Sequence, residues 1–300
     1  MVSFKYIATT SLLIFCIHTM AQQDILYTQY MFNGLTINPA YAGNHDALSL
    51  SGMTRKQWIG IDGAPSTFLI SGHMPFVNNK VGLGVLIFQD KIGISNKLQA
   101  NMSYSYKIIK DDKRLSFGIQ AMVLNYSQQY NQLDNINALD KNFQENYQQT
   151  FLNVGAGIFY ETKHYYAGFS VPQLIRNYYE TNNPASDKQL RQYILTGGYE
   201  FYLHPLLKLK PAFLIRYSEE LPSNYGLSAN FLYNEKIWLG VSYSYRTSMS
   251  ALLGLMVTDK MNLGFSYDYL TNGLQKASKG SMEIMINYRF LKSKKSETNK

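Results

Sequence analysis

The chain has 300 residues, of which 46% are hydrophobic and 16% charged, with 25 tyrosines and a formal net charge of +8. Its mean hydropathy of −0.21 argues against a bundle of membrane helices, which would be more apolar, but not against a wall with one lipid face and one polar lumen face. A single cysteine excludes a disulfide framework, and the basic balance, densest at Lys292, Lys294, Lys295 and Lys300, comes with no recognition-helix or RNA-binding pattern, so nucleic acid is not expected as a partner.

From the N-terminus, Lys5 precedes an apolar run from Tyr6 to Ile17, and Thr19-Met20-Ala21 closes it with a small residue. This three-part pattern predicts a secretory signal peptide over residues 1–21, cleaved between Ala21 and Gln22. A membrane anchor is the competing reading, but the run of about 12 residues falls short of the roughly 20 that a spanning helix needs. Bulky Phe15 before Cys16 speaks against lipidation there, so cleavage would leave a mature chain with no cysteine for disulfide, thiol or metal chemistry. The charge would fall by one with the loss of Lys5.

Residues 22–46 do not alternate. They carry Gln29-Tyr30-Met31-Phe32-Asn33 and Asn38-Pro39-Ala40-Tyr41-Ala42-Gly43, where Asn38-Pro39 and Gly43-Asn44 are turn signals. So many aromatic and methionine side chains are unfavourable to leave in water. The segment is therefore expected to contact the barrel as a lumen plug, or a partner as a periplasmic strap, in preference to serving as a mere leader.

Over residues 47–290 the sequence reads as about fourteen alternating strands, which predicts an all-β transmembrane antiparallel β-barrel. The clearest runs from Leu98 to Ile108, where Leu98, Ala100, Met102, Tyr104, Tyr106 and Ile108 share one face and Gln99, Asn101, Ser103, Ser105 and Lys107 the other. Strands are expected over 47–58, 66–75, 81–89, 98–108, 114–126, 151–160, 164–172, 193–201, 207–217, 224–233, 236–245, 249–257, 261–269 and 279–290. Gaps after even-numbered strands are short, and those after odd-numbered strands include the polar stretches 127–150 and 173–192. Because such barrels have short periplasmic turns and longer external loops, both termini are expected in the periplasm and the chain in the cell outer membrane. The odd gap at 246–248 is short, which leaves strand placement open there.

Glycines recur inside strands, at Gly82, Gly84, Gly155, Gly157, Gly240 and Gly264. Barrel curvature is the first explanation, and room for a plug or partner segment the second. The last strand ends in Tyr288 and Phe290, a pattern that resembles the signal read by barrel-assembly machinery, and the basic tail 291–300 follows it.

No catalytic, cofactor or metal site emerges. His45, His73, His164 and His204 show no metal-ligand spacing, and Ser170 and His164 lie six residues apart on one expected strand, too far to bond directly. A protein-binding barrel and a passive diffusion channel or solute transporter remain as readings. The inner-face charges of the latter, Lys107, Glu200, Lys208, Lys210, Arg216, Asp268, Glu283 and Arg289, mix both signs where a selective pore would show rings of one.

The Gln-Tyr-Met-Phe-Asn and Asn-Pro-Ala-Tyr-Ala-Gly pair, followed in order by Arg55, Gln57 and Trp58, by Gly63-Ala64-Pro65-Ser66-Thr67, by Gly82-Leu83-Gly84 with Asp90 and Gly93, and by Tyr166-Ala167-Gly168-Phe169-Ser170-Val171-Pro172, resembles the PorP/SprF family over the whole mature chain. Gln89 stands before Asp90 where the family pattern has asparagine. The resemblance implies an outer-membrane component of the Bacteroidetes type IX secretion system, in some members linked to gliding motility. It also implies a helper that engages the C-terminal targeting domain of a cognate secreted protein, with translocon or periplasmic ring components as further partners.

Overall fold

The structure, a computed structural model, describes residues 27–132, 146–178, 188–219 and 222–290. The expected signal peptide, with Ala21 and Gln22, and the tail 291–300 lie outside these residues. Seventeen β elements follow in order: β1 (Ser49–Lys56), β2 (Ser66–Phe76), β3 (Val81–Ile92), β4 (Ser95–Lys110), β5 (Lys113–Gln128), β6 (Tyr147–Glu161), β7 (Tyr165–Val171), β8 (Asn177–Tyr178), β9 (Lys188–Gln189), β10 (Gln192–Tyr199), β11 (Phe201–His204), β12 (Leu207–Ser218), β13 (Asn224–Tyr233), β14 (Ile237–Ser244), β15 (Ser248–Thr258), β16 (Met261–Leu270) and β17 (Ser281–Arg289).

Antiparallel pairing joins neighbouring wall strands in chain order, with β7 paired to β10, and β1 pairs with β17 from Ser49 opposite Arg289 to Lys56 opposite Met282, which closes the sheet. β10 and β11 both pair with β12 and share one place in the wall, so the barrel has fourteen strands, as expected from the alternation. β8 and β9 form a separate two-residue pair in the long connection after β7. Closure leaves no edge strand in the wall among the described residues, as a span through hydrocarbon requires.

Several bounds differ from the sequence reading. The polar residues 90–97, read as a gap, continue β3 to Ile92 and begin β4 at Ser95, because the hairpin turns within Gly93-Ile94 and Gly93 takes φ +54°. The eighth strand, read as continuous over 193–201, is interrupted at Glu200. The short gap near Arg246 is a tight turn with Arg246 at φ 56°, and its flanking strands are in place. At the opposite end Asn234 and Glu235 both take positive φ, the local backbone that matches strand twist in short hairpins.

The period-two pattern separates two environments. Leu98, Met102, Tyr104, Tyr106 and Ile108 point outward and are exposed, while Gln99, Asn101, Ser103, Ser105 and Lys107 point inward and are buried. The outward surface carries aliphatic residues at mid-height, such as Ile119, Leu152, Val241 and Leu253, and rings near both ends. Tyr217, Tyr225, Tyr245 and Tyr269 lie toward the long-loop end, and Phe76, Tyr199, Tyr233 and Phe290 toward the short-turn end. This is the arrangement of an apolar band between two aromatic girdles.

Met102 is the most lipid-exposed of these side chains, at 70%, so Met102→Arg is expected to destabilise the barrel by about 2–4 kcal/mol and Ile108→Arg, near the strand end, by about 0–1 kcal/mol. Urea unfolding in phosphatidylcholine vesicles measures both.

Candidate functional site

The inward face is polar but not empty. Tyr27–Asp46 runs through the lumen as three short 3-10 turns, Tyr30–Phe32, Gly34–Thr36 and Pro39–Tyr41, before the chain enters β1. Asn38 starts the third turn by accepting a hydrogen bond from the Ala40 amide (2.9 Å) with its side-chain oxygen, and Pro39 supplies a preset φ at the first position.

The segment begins at a buried charge cluster near the long-loop ends of β1, β16 and β17. Arg55 donates from Nη2 to Asp268 (2.6 Å) and from Nη1 to Glu283 (3.0 Å). One guanidinium faces two carboxylates, and the segment supplies the missing donors. Glu283 accepts from the backbone amides of Thr28 (3.2 Å) and Gln29 (3.0 Å). The Thr28 hydroxyl donates to Asp268 (2.9 Å) and accepts from Arg55 (3.1 Å). All three charged side chains are buried, where a charge is tolerated only when paired and hydrogen-bonded.

Farther along, Asn33 donates to the Ser71 hydroxyl (2.8 Å), and Asn230 donates to the Met31 sulfur (3.0 Å). The Phe32 ring meets Trp238 edge to face at 5.2 Å. Tyr30 and Ile37 pack with Ile194 and Leu214 of the wall. The Asn38 amide donates to the carbonyls of Ile158 (2.9 Å) and Phe169 (3.4 Å), which face each other across β6 and β7. Ser105 and Lys107 donate to the carbonyls of Ala42 and Gly43, and Arg114 to that of Asn44 (2.8 Å). Tyr41 sets its ring against Phe159, His73 and His45. Burial, and then the positive Arg289 and neighbouring His73, hold the His45 imidazole well below its usual pKa.

The in-strand glycines find their reason here. A methyl group on Gly82 would overlap the Ala42 carbonyl, one on Gly118 the Ala40 backbone, one on Gly157 the Asn38 side chain and one on Gly264 the Gln29 side chain. Curvature, the first explanation from sequence, gives way at Gly82, Gly157 and Gly264 to close approach of the luminal segment, and Gly84 likewise faces Leu35 and Ala42. Gly155 instead faces Pro172, and Gly240 the Asn230 side chain.

All of Gln29–Asn33 and Asn38–Gly43 thus lie together inside the barrel. Sequence reasoning had no means to attach them to Ser71, Gly118 or Ser170, whose places around the barrel are fixed only by strand register. The pairing of Arg55 with Asp268 and Glu283 joins residues over two hundred positions apart, and no local pattern announces it. The chain direction is also unforeseen: Thr28 lies in the long-loop half of the lumen and Phe290 at the short-turn end, beside Leu48. Among the described residues no group of three or more His, Cys, Asp or Glu side chains is placed to hold a metal ion.

Compared with known proteins, the chain matches the family model described as type IX secretion system membrane protein PorP/SprF over residues 19–288. No protein of curated function matches. Among solved structures it is similar to the Acinetobacter baumannii outer membrane protein Omp33, at 8% identity and a TM-score of 0.50, covering 83% of this chain and 100% of that one. A Pseudomonas aeruginosa FadL homologue aligns at 10% identity and a TM-score of 0.46, covering 85% of this chain and 93% of the other. The first likeness shows a shared outer-membrane barrel fold.

Gly82→Ala and Gly118→Ala are expected to unseat the segment while leaving the wall assembled. Conductance in planar bilayers should rise and protease should cut within 27–46, whereas Gly226→Ala, where a methyl group meets only ordinary contacts, should change neither. Arg55→Met strands two buried carboxylates and is expected to destabilise the seated state by about 3–5 kcal/mol. Adding Asp268→Asn and Glu283→Gln should restore most of the melting temperature.

Proposed function

Since the chain belongs to the PorP/SprF family of type IX secretion system membrane proteins, we propose that it is a non-enzymatic outer-membrane barrel that binds a cognate secreted protein through that protein's C-terminal targeting domain and assists its export or surface anchoring. The observation that carries this reading is the filled lumen. Residues that would line a wide aqueous path, among them Ser71, Ser105, Lys107, Asp268 and Glu283, are bonded to the chain's own Thr28–Gly43. A solute channel is expected to keep such groups hydrated and available to its cargo. A barrel whose interior is committed to its own segment favours recognition at the rims.

In this reading the short turns and Phe290 face the periplasm, where the secretion machinery would dock, and the long connections after β5 and β7 face outward. Residues 27–46 act as a plug whose short-turn side is the periplasmic contact.

Affinity purification of the tagged protein from gently solubilised outer membranes, with an untagged control, tests the proposal. Recovery of a secreted protein's C-terminal domain or of type IX components is expected. A partner-free barrel that conducts ions in bilayers without any substitution would contradict it and favour the diffusion channel.

A further inference from the structure

At the short-turn mouth, below the luminal segment, lies a cavity of about 310 Å³, at the lower end of the usual range for ligand pockets. Three basic side chains line it, Lys210, Lys260 and Arg289, and no carboxylate does. Lys210 is paired outside the cavity with Glu200 and stands over the Trp238 ring. Among the described residues Lys260 and Arg289 have no ionic partner. Elsewhere in the lumen Arg55 has its two carboxylates, Lys208 has Glu200 and Glu235, Arg114 has Asp46 and Glu161, and buried Lys107 is held by the Gly43 carbonyl.

The polar groups of the same cavity are unsatisfied in a way that points to a ligand. Nδ1 of His73 is buried without a hydrogen-bond partner, in a residue only 5% exposed. Asn262 and Asn287 stand directly opposite each other on β16 and β17, and the side-chain oxygen of each is buried without a partner. Both amides line this cavity, beside Arg289 two positions along β17. An amide placed either way round offers an oxygen or an NH₂ to the same space, so the pair has donors to give an anion. The lining also has an apolar part: Met31 and Phe32 from the luminal segment, Trp238 from β14 and Met285, two positions before Asn287 on β17. Phe32 and Trp238 lock each other through their edge-to-face contact.

We propose that this cavity is a binding site for a carboxylate carried on an apolar or aromatic group. Arg289 receives the carboxylate as a two-pronged hydrogen-bonded pair, the geometry in which guanidinium recognises planar anions. Lys260 adds charge at the rim, and Asn262 and Asn287 complete the polar shell. The apolar part of the ligand lies against Phe32, Trp238 and Met31. Two of those three contacts belong to the luminal segment, so the site exists only when that segment is seated. The chemistry is common to a small free carboxylate and to the carboxyl end of a polypeptide that finishes in an apolar residue. The inference rests on the mouth geometry alone, so carboxylate binding and capture of a secreted partner can succeed or fail separately.

Isothermal calorimetry on the full, detergent-solubilised barrel tests it with four probes: N-acetylphenylalanine, its carboxamide, a short peptide ending in phenylalanine with a free carboxylate, and the same peptide amidated. Saturable binding of at least one free acid is expected, with affinity lower by about tenfold or more for its amide, and lower by a similar factor in Arg289→Gln. Lys260→Gln should weaken binding by a smaller factor that shrinks as salt is raised. Both positions are exposed at the mouth, so unchanged gel mobility of the folded barrel serves as the folding control. Binding of both acids identifies small carboxylates as sufficient, and binding of the peptide acid alone identifies a polypeptide terminus; either supports the site. Equal affinity for acid and amide, unchanged affinity in both variants, or no binding by any probe would overturn it.

Discussion

A membrane barrel of fourteen strands turns half of its wall residues inward, and every polar group it places there needs water or a partner. For much of this lumen the partner is the protein's own chain. The decisive contact is the buried meeting of Arg55 with Asp268 and Glu283, which is short of donors until Thr28 and Gln29 arrive. Wall and segment are therefore not independent: with the segment withdrawn, two carboxylates would share one guanidinium in a polar but undersupplied site.

The same dependence shows in shape. Gly82, Gly118 and Gly157 lack a side chain where the segment's backbone or Asn38 comes closest, while Ser105, Ser170 and Lys107 reach in with donors wherever its carbonyls point. Small residues make the room and polar ones fix the path. Asn38 goes further, placing its amide between the carbonyls of two adjacent strands and holding its own turn with the other end of the side chain. The result is an interior specified by complementary choices on both surfaces, and a short-turn mouth whose floor is the segment itself.

Much of this was legible in the sequence and some was not, for physical reasons. Alternation is local, so residues 98–108 declare both a strand and its two faces without help from the rest of the chain. The PorP/SprF resemblance carried by Gln29–Asn33 and Asn38–Gly43 agrees with the family model, and their aromatic density signalled that they were not simple coil. Register across the barrel is non-local, however. Nothing near Gly118 or Ser71 says that Ala40 or Asn33 will lie against it, and an inward glycine looks the same in sequence whether it bends a strand or admits another backbone. Turn chemistry misled at residues 90–97, where polar side chains continue a ladder above the lipid band and the connection shrinks to two residues around Gly93.

The central claim is that residues 27–46 sit inside the closed barrel in the living membrane. With Cys16 the sole cysteine in the sequence, a pair can be introduced at Asn33 and Ser71, whose side chains touch at 2.8 Å, and followed in intact cells. Mass spectrometry after treatment with a short membrane-permeant bis-maleimide should find Asn33→Cys joined to Ser71→Cys in nearly all of the folded protein, with neither thiol of untreated cells open to a membrane-impermeant maleimide. Two free thiols that both take the label, in a barrel that is otherwise assembled, would contradict the account.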